Sequence, residues 1–243
     1  YGGYLCSTLR NDAGSCQLSQ PVQRALNALP GANSITLDPH KLGFIPYACG
    51  AFLVPDTASY SVSSIHAPYL EKAQDVKFPG WSTTLEGSRA ATGPSAVWLS
   101  AKVMPLNAHG HGGLLNQSLK AAADVHRCLE EASGPIRLLP AGDTNVVCFA
   151  LAKDHDSLAE ANQRTESLLS QFKASPELSV TRTHLGLGNY GDLVNTAVAQ
   201  WNGTIDDDHL TVVRMVVMNP YLDDDIIVDG IKATLLDCLN RLV

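Results

Sequence analysis

Two basic residues sit where a solvated charge is out of place. Lys41 ends the run Ser34-Ile35-Thr36-Leu37-Asp38-Pro39-His40 and is flanked by Leu37, Leu42, Phe44 and Ile45, with few other charges nearby. Apolar neighbours partly desolvate such an amine and favour its free form. The free amine is the nucleophile that condenses with an aldehyde cofactor. The competing reading is a surface lysine that caps a turn. Arg214 is embedded in Val212-Val213-Arg214-Met215-Val216. A guanidinium grips a carboxylate in a bidentate fork, so an acidic ligand would account for an arginine there. An arginine on the wet face of a strand fits the same pattern.

The elements that must position these groups follow from periodicity and turn residues. Residues 20–28 read as a short helix, and residues 34–37 and 48–54 as strands. Residues 56–83 hold no strong period and form a long connection. Pro94 favours a helix start, and residues 95–103 follow as helix. A longer amphipathic helix over 113–132 places Leu115, Leu119, Ala122, Val125 and Leu129 on one face. Beyond it, strands are expected at 136–139, 146–151, 178–185 and 210–218, with helices at 157–172 and 226–242. Strands and helices mix without strict alternation, which suits a small α+β domain after a boundary near 110–115.

Composition narrows the function classes. The 243 residues are 45% hydrophobic and 17% charged, with a formal net charge of -7. That length buries a sizeable core. The acidic balance excludes a basic nucleic-acid footprint and a polybasic membrane anchor. No apolar run approaches the roughly 20 residues of a membrane helix. Cys6, Cys16, Cys49, Cys128, Cys148 and Cys238 form no C-x-x-C pair, and read as free thiols of a reducing, cytoplasmic compartment. The sequons at Asn116 and Asn202 carry little weight without a secretory signal. Tyr1-Gly2-Gly3-Tyr4 reads as the middle of a protein, so an earlier portion or a second chain is expected.

Three rival motifs are weaker. Gly186-Leu187-Gly188-Asn189-Tyr190-Gly191 fits G-x-G-x-x-G. Its preceding segment alternates polar and apolar residues, unlike a strand buried on both faces, so a flexible glycine loop is expected instead of a nucleotide site. His109-Gly110-His111 lacks the third ligand that a catalytic zinc wants and reads as a loop between helices; no metal is expected. Asp206–Asp208 and Asp223–Asp225 are short acidic runs without the alternating ligands of a calcium loop.

Asp38-Pro39-His40-Lys41 with Leu42-Gly43-Phe44-Ile45-Pro46-Tyr47 resembles the lysine motif of the group II pyridoxal-phosphate (PLP)-dependent amino-acid decarboxylases, most closely the bacterial tyrosine and aspartate branch. Leu85-Glu86-Gly87-Ser88-Arg89-Ala90, followed by Ser95-Ala96-Val97-Trp98 and Leu106-Asn107, resembles a second block of that family. Val213-Arg214-Met215-Val216-Val217-Met218-Asn219-Pro220 resembles a third. The three stand in the family's order and span essentially the whole chain. The resemblance implies an α/β, fold-type-I enzyme: the C-terminal part of the large PLP-binding domain over 1–112, then a connecting helix and small C-terminal α/β domain over 113–243.

By the same resemblance, Lys41 carries pyridoxal 5'-phosphate as a Schiff base and His40 lies beside the cofactor and its phosphate. Ser88 contacts a phosphate, that of the neighbouring subunit in a homodimer, and Arg214 grips the α-carboxylate of an L-amino acid. Tyr47 either touches the substrate side chain or packs. Lys41 and His40 are the candidate general acids. The implied reaction is α-decarboxylation of tyrosine, aspartate or glutamate to the amine. The family's aspartate for the pyridine nitrogen and its ring-stacking group match no residue of this chain, so the missing N-terminal portion or another chain must supply them. Relatives also carry a mobile-loop tyrosine that residues 71–86 lack; Lys77, Phe78 and Trp81 stand there. That difference raises an aldehyde-forming oxidative deamination as an alternative. A non-catalytic partner subunit is the other, against which the presence of both Lys41 and Arg214 argues.

Overall fold

The computed structural model describes residues 1–9, 18–56, 58–60, 64, 86, 88–140, 142–173, 179–222, 229–230, 233–234 and 236–237. The chain divides into two compact units, Tyr1–Cys16 with Gln20–Gly113, and Gln17–Ser19 with Leu114–Val243.

The first unit opens on a 3-10 helix, Gly2–Leu9, followed by helix α1 (Gln20–Asn27) and the strands β1 (Ile35–Leu37) and β2 (Ala51–Leu53). The strands pair antiparallel, with Leu37 opposite Ala51. Helix α2 (Thr92–Val103) follows and buries none of its residues.

Helix α3 (His111–Glu131) leads into the second unit. There β3 (Ile136–Leu138), β4 (Val146–Leu151), β5 (Thr181–Gly186) and β6 (His209–Val216) form an antiparallel sheet in the order β3-β4-β6-β5. Helix α4 (Leu158–Phe172) starts at a capping box. Ser157 Oγ accepts from the Glu160 amide at 3.3 Å, and the Glu160 carboxylate accepts from the Ser157 amide at 2.8 Å. That reciprocal pair satisfies two helix-end donors. Side chains alternate across a strand, and the core divides accordingly. Val147, Phe149, Val213 and Met215 meet α3 and the later turns of α4. Ala150, Leu185, Leu210 and Val212 meet Trp201 and helix α5 (Leu187–Ala199).

The glycine motif at 186–191 departs from expectation. It is no loop: Gly186 is extended (φ -67, ψ 138) and caps α5, which contains the remaining glycines and a kink at Tyr190. The Leu187 amide donates to the Asp208 carbonyl at 2.9 Å, and the apolar residues Val194, Ala197 and Val198 bury the helix. Tertiary burial outweighs the helix cost of glycine. β5 and β6 are antiparallel neighbours, whereas a dinucleotide fold needs parallel strands.

The strand expected at 178–185 begins at Thr181. Of the closing helix expected over 226–242, the described residues Asp229, Gly230, Ala233, Thr234, Leu236 and Asp237 are helical. Cys6, Cys49, Cys128 and Cys148 are free thiols. No helix among the described residues is long and apolar enough to cross a membrane. Lys77, Phe78, Trp81 and Asp223–Asp225 lie outside the described residues.

Candidate active site

The lysine turn is closed by its own backbone. The Lys41 amide donates to the Asp38 carbonyl, the Phe44 amide to the Lys41 carbonyl and the Ile45 amide to the Pro39 carbonyl, each at 3.0 Å. The His40 amide donates to the Cys49 carbonyl at 3.4 Å, tying the turn to the residues just before β2. Gly43 has no room for a side chain: a Cβ there would stand 2.5 Å from the Pro39 oxygen and 2.8 Å from Tyr4 Cζ. Phe44 adopts a left-handed backbone, φ 55. Leu42 is fully buried and Ile45 nearly so.

This scaffold presents Lys41 outward. Its side chain is 38% exposed, and Nζ pairs with Asp38 Oδ2 at 2.7 Å. The hydrogen bond from Lys41 holds the Asp38 carboxyl below the usual carboxylate value, with the lysine charge adding to it, against a smaller upward push from burial. The expected apolar setting is therefore corrected. Leu42 supplies an apolar wall, but the amine carries a carboxylate partner, because the i,i+3 spacing of a tight turn folds Asp38 back onto it.

His40 Nδ1 donates to the Cys49 carbonyl in a very short hydrogen bond. A carbonyl only accepts, so Nδ1 carries a proton, and Nε2 takes no part in that bond. The His40 ring lies 4.3 Å from that of Tyr47, tilted by 35°. Tyr47 itself is 79% exposed. His40, Lys41 and Tyr47 are thus gathered on one turn. Ser88 is exposed, ahead of α2 in the same unit.

Arg214 belongs to the second unit. It lies on β6 opposite Cys148 of β4 and Thr181 of β5. Two-residue periodicity puts it on the face of Leu210 and Val212, and it is half-buried where its neighbours Val213 and Met215 are buried. Burial pushes the Cys148 thiol upward, and the nearby Arg214 charge partly opposes this.

Sequence reasoning left three contributors without a role: Asp38, the Cys49 carbonyl and His111. The Asp38–Lys41 spacing was a usable signal. The partners of His40 and His111 lie 9 and 69 residues away and had none. Two clefts of the second unit, about 300 and 350 Å³, are lined by residues that include none of the five expected site residues.

No family model matches the chain. It is 30% identical over 224 residues to the L-tyrosine decarboxylase of Levilactobacillus brevis, covering 83% of this chain and 35% of that protein. It is 27% identical to the L-tyrosine decarboxylase of Enterococcus faecium, covering 93% of this chain and 43% of the relative. The chain is similar to these decarboxylases along most of its length. It matches their C-terminal portion and spans less than half the length of these relatives. Among solved structures, Oryza sativa TDC with PLP and tryptamine superimposes with a TM-score of 0.67 at 13% identity, covering 90% of this chain and 41% of that one. Decarboxylases of this group share fold type I, and the mixed helices and sheets of both units fit its C-terminal part.

Proposed function

We propose that this chain provides the lysine and the substrate-binding arginine for α-decarboxylation of an L-amino acid, tyrosine first, with aspartate and glutamate behind. The observation that carries the reading is an accessible amine, Lys41 Nζ, projecting from a cross-bonded turn anchored by the buried Pro39, Leu42 and Ile45, in a chain whose relatives are named tyrosine decarboxylases.

The residues fit pyridoxal phosphate. Lys41 offers the amine for covalent attachment. His40, with Nδ1 committed to Cys49, presents Nε2 at the same turn for the cofactor and its phosphate. Ser88 is exposed for a phosphate contact. When bound, the cofactor supplies an electron sink for the pair left behind as CO₂ departs.

The chain's own residues do the rest. Arg214 binds the α-carboxylate in a fixed fork and so orients the bond to be broken. Tyr47 meets the substrate side chain. Lys41 Nζ, which pairs with Asp38 in this structure, would hold a proton for delivery to Cα, with His40 Nε2 as the second proton carrier.

The unit-one surface supports a larger assembly. Phe52 and Leu53 on β2, and Trp98, Leu99 and Val103 on α2, are each exposed, apolar surface that a further portion or chain would cover. An N-terminal portion or second chain completes the site, in a homodimer within the cytoplasm.

Borohydride reduction of the complete, cofactor-loaded protein, followed by peptide mass mapping, tests the reading. A phosphopyridoxyl group on Lys41, absent from Lys41→Ala, is expected, with CO₂ and the amine as products. Aldehyde in place of amine would move the reading to oxidative deamination. No adduct on Lys41 would remove its basis.

A further inference from the structure

His111 lies at the back of the lysine turn. It is 1% exposed. Its Nε2 donates to the carbonyl of Leu42, the residue after Lys41, at 2.6 Å. Its ring centroid is 5.1 Å from that of Tyr4 and 5.6 Å from that of Phe44. Nδ1 is buried and meets no hydrogen-bond partner among the described residues.

Because a carbonyl only accepts, Nε2 carries the proton and Nδ1 carries the lone pair. Protonating Nδ1 would bury both a charge and an unpaired N–H, which is costly. Burial accordingly holds the imidazole below its usual value, although the Leu42 bond pulls the other way. A ring fixed in one tautomer, with its only donor committed, cannot shuttle protons. It can hold a backbone in place. The backbone bonds within the turn use the carbonyls of Asp38, Pro39 and Lys41; that of Leu42 is taken by His111 across 69 residues of sequence.

We propose that His111 is a positioning residue for Lys41. By anchoring the Leu42 carbonyl it fixes the chain one residue beyond the lysine, and with it the direction in which Nζ leaves the turn. The inference rests on the role proposed above for Lys41. Tyr4 and Phe44 hold the ring, and Gly43 allows the close packing that brings Leu42 to it.

The test compares wild type, His111→Phe and His111→Gln in the complete protein. Phenylalanine keeps the aromatic packing and removes the donor; glutamine restores a donor near Nε2. His111→Phe is expected to lower kcat about tenfold or more, since small misplacements are costly, and to leave KM within about twofold. It should also shift the absorption band of the bound cofactor and reduce the borohydride adduct on Lys41, with His111→Gln recovering most of both. Wild-type values in His111→Phe would overturn the inference, as would a deficit that glutamine fails to recover. Nitrogen NMR of wild-type His111 at about pH 7.5 gives an answer without any variant: a neutral ring with its proton on Nε2 is expected, and a proton on Nδ1 overturns it. Absence of the Lys41 adduct from wild type itself identifies a failure of the functional reading, and the inference falls with it.

Discussion

Asp38 and Lys41 are joined twice, by an ion pair at 2.7 Å between their side chains and by a hydrogen bond at 3.0 Å from the Lys41 amide to the Asp38 carbonyl. The ion pair must open before Nζ can bind an aldehyde. Asp38→Asn keeps a hydrogen-bonding side chain but removes the charge, so apo protein is expected to load cofactor about two- to fivefold faster, the range a partly exposed pair sustains. Stopped-flow absorbance after mixing with pyridoxal phosphate measures this. Slower loading would mean that Asp38 aids attachment and does not delay it.

Gly43→Ala tests the turn sterically. The new Cβ meets backbone at Pro39, 2.5 Å away, and Pro39 is itself held by the Ile45 amide. Overpacking of this kind costs about 1–3 kcal/mol. Thermal unfolding should begin earlier, and the Lys41 adduct should fall even at temperatures where the fold persists. An unchanged melting curve would show that the turn yields freely.

The sequence made some of this legible and hid the rest for identifiable reasons. The helix over α3 announced itself through Leu115, Leu119, Ala122, Val125 and Leu129, which do lie on a buried face. Lys41 stood out because charge is unusual among Leu37, Leu42, Phe44 and Ile45. The i,i+3 spacing of Asp38 and Lys41 was a local signal, whereas local spacing could not report that the glycines at 188 and 191 sit in a helix, because tertiary packing decides that. His111 read as part of a loop between helices, whereas it opens α3. Its real partner is a carbonyl, and backbone carbonyls leave no trace in residue identity.

Arg214 offers a prediction of different kind, since it sits on β6, one of the two inner strands of the second unit's sheet. Arg214→Ala is expected to raise KM about tenfold or more while leaving the Lys41 adduct intact, because a charge-assisted bidentate contact to carboxylate is lost and nothing at the lysine turn changes. Arg214→Lys should recover only part of the loss, as an ammonium cannot reproduce the fork. Steady-state kinetics beside borohydride trapping separates the two effects. A variant with unchanged KM would return Arg214 to the role of a strand-face arginine.

The buried neutral state of His111 also makes stability depend on pH in a definite direction. Burial lowers its folded-state pKa from the usual 6.5. Between that lowered value and 6.5 the unfolded chain binds a proton that the folded chain refuses, so stability falls as pH falls. The contribution is complete above about pH 6.5, erodes below it, and stops eroding once pH passes the folded value. The carboxyls of Asp38, Asp156, Asp206 and Asp207, also lowered on folding, add losses nearer their ordinary value of 3.8. Comparing wild type with His111→Gln isolates the histidine, because glutamine keeps a donor and does not titrate. Denaturant midpoints at pH 7.5 and 5.5 should drop further in wild type than in the variant. Equal drops would show that His111 takes up its proton in the folded protein as readily as in the unfolded chain.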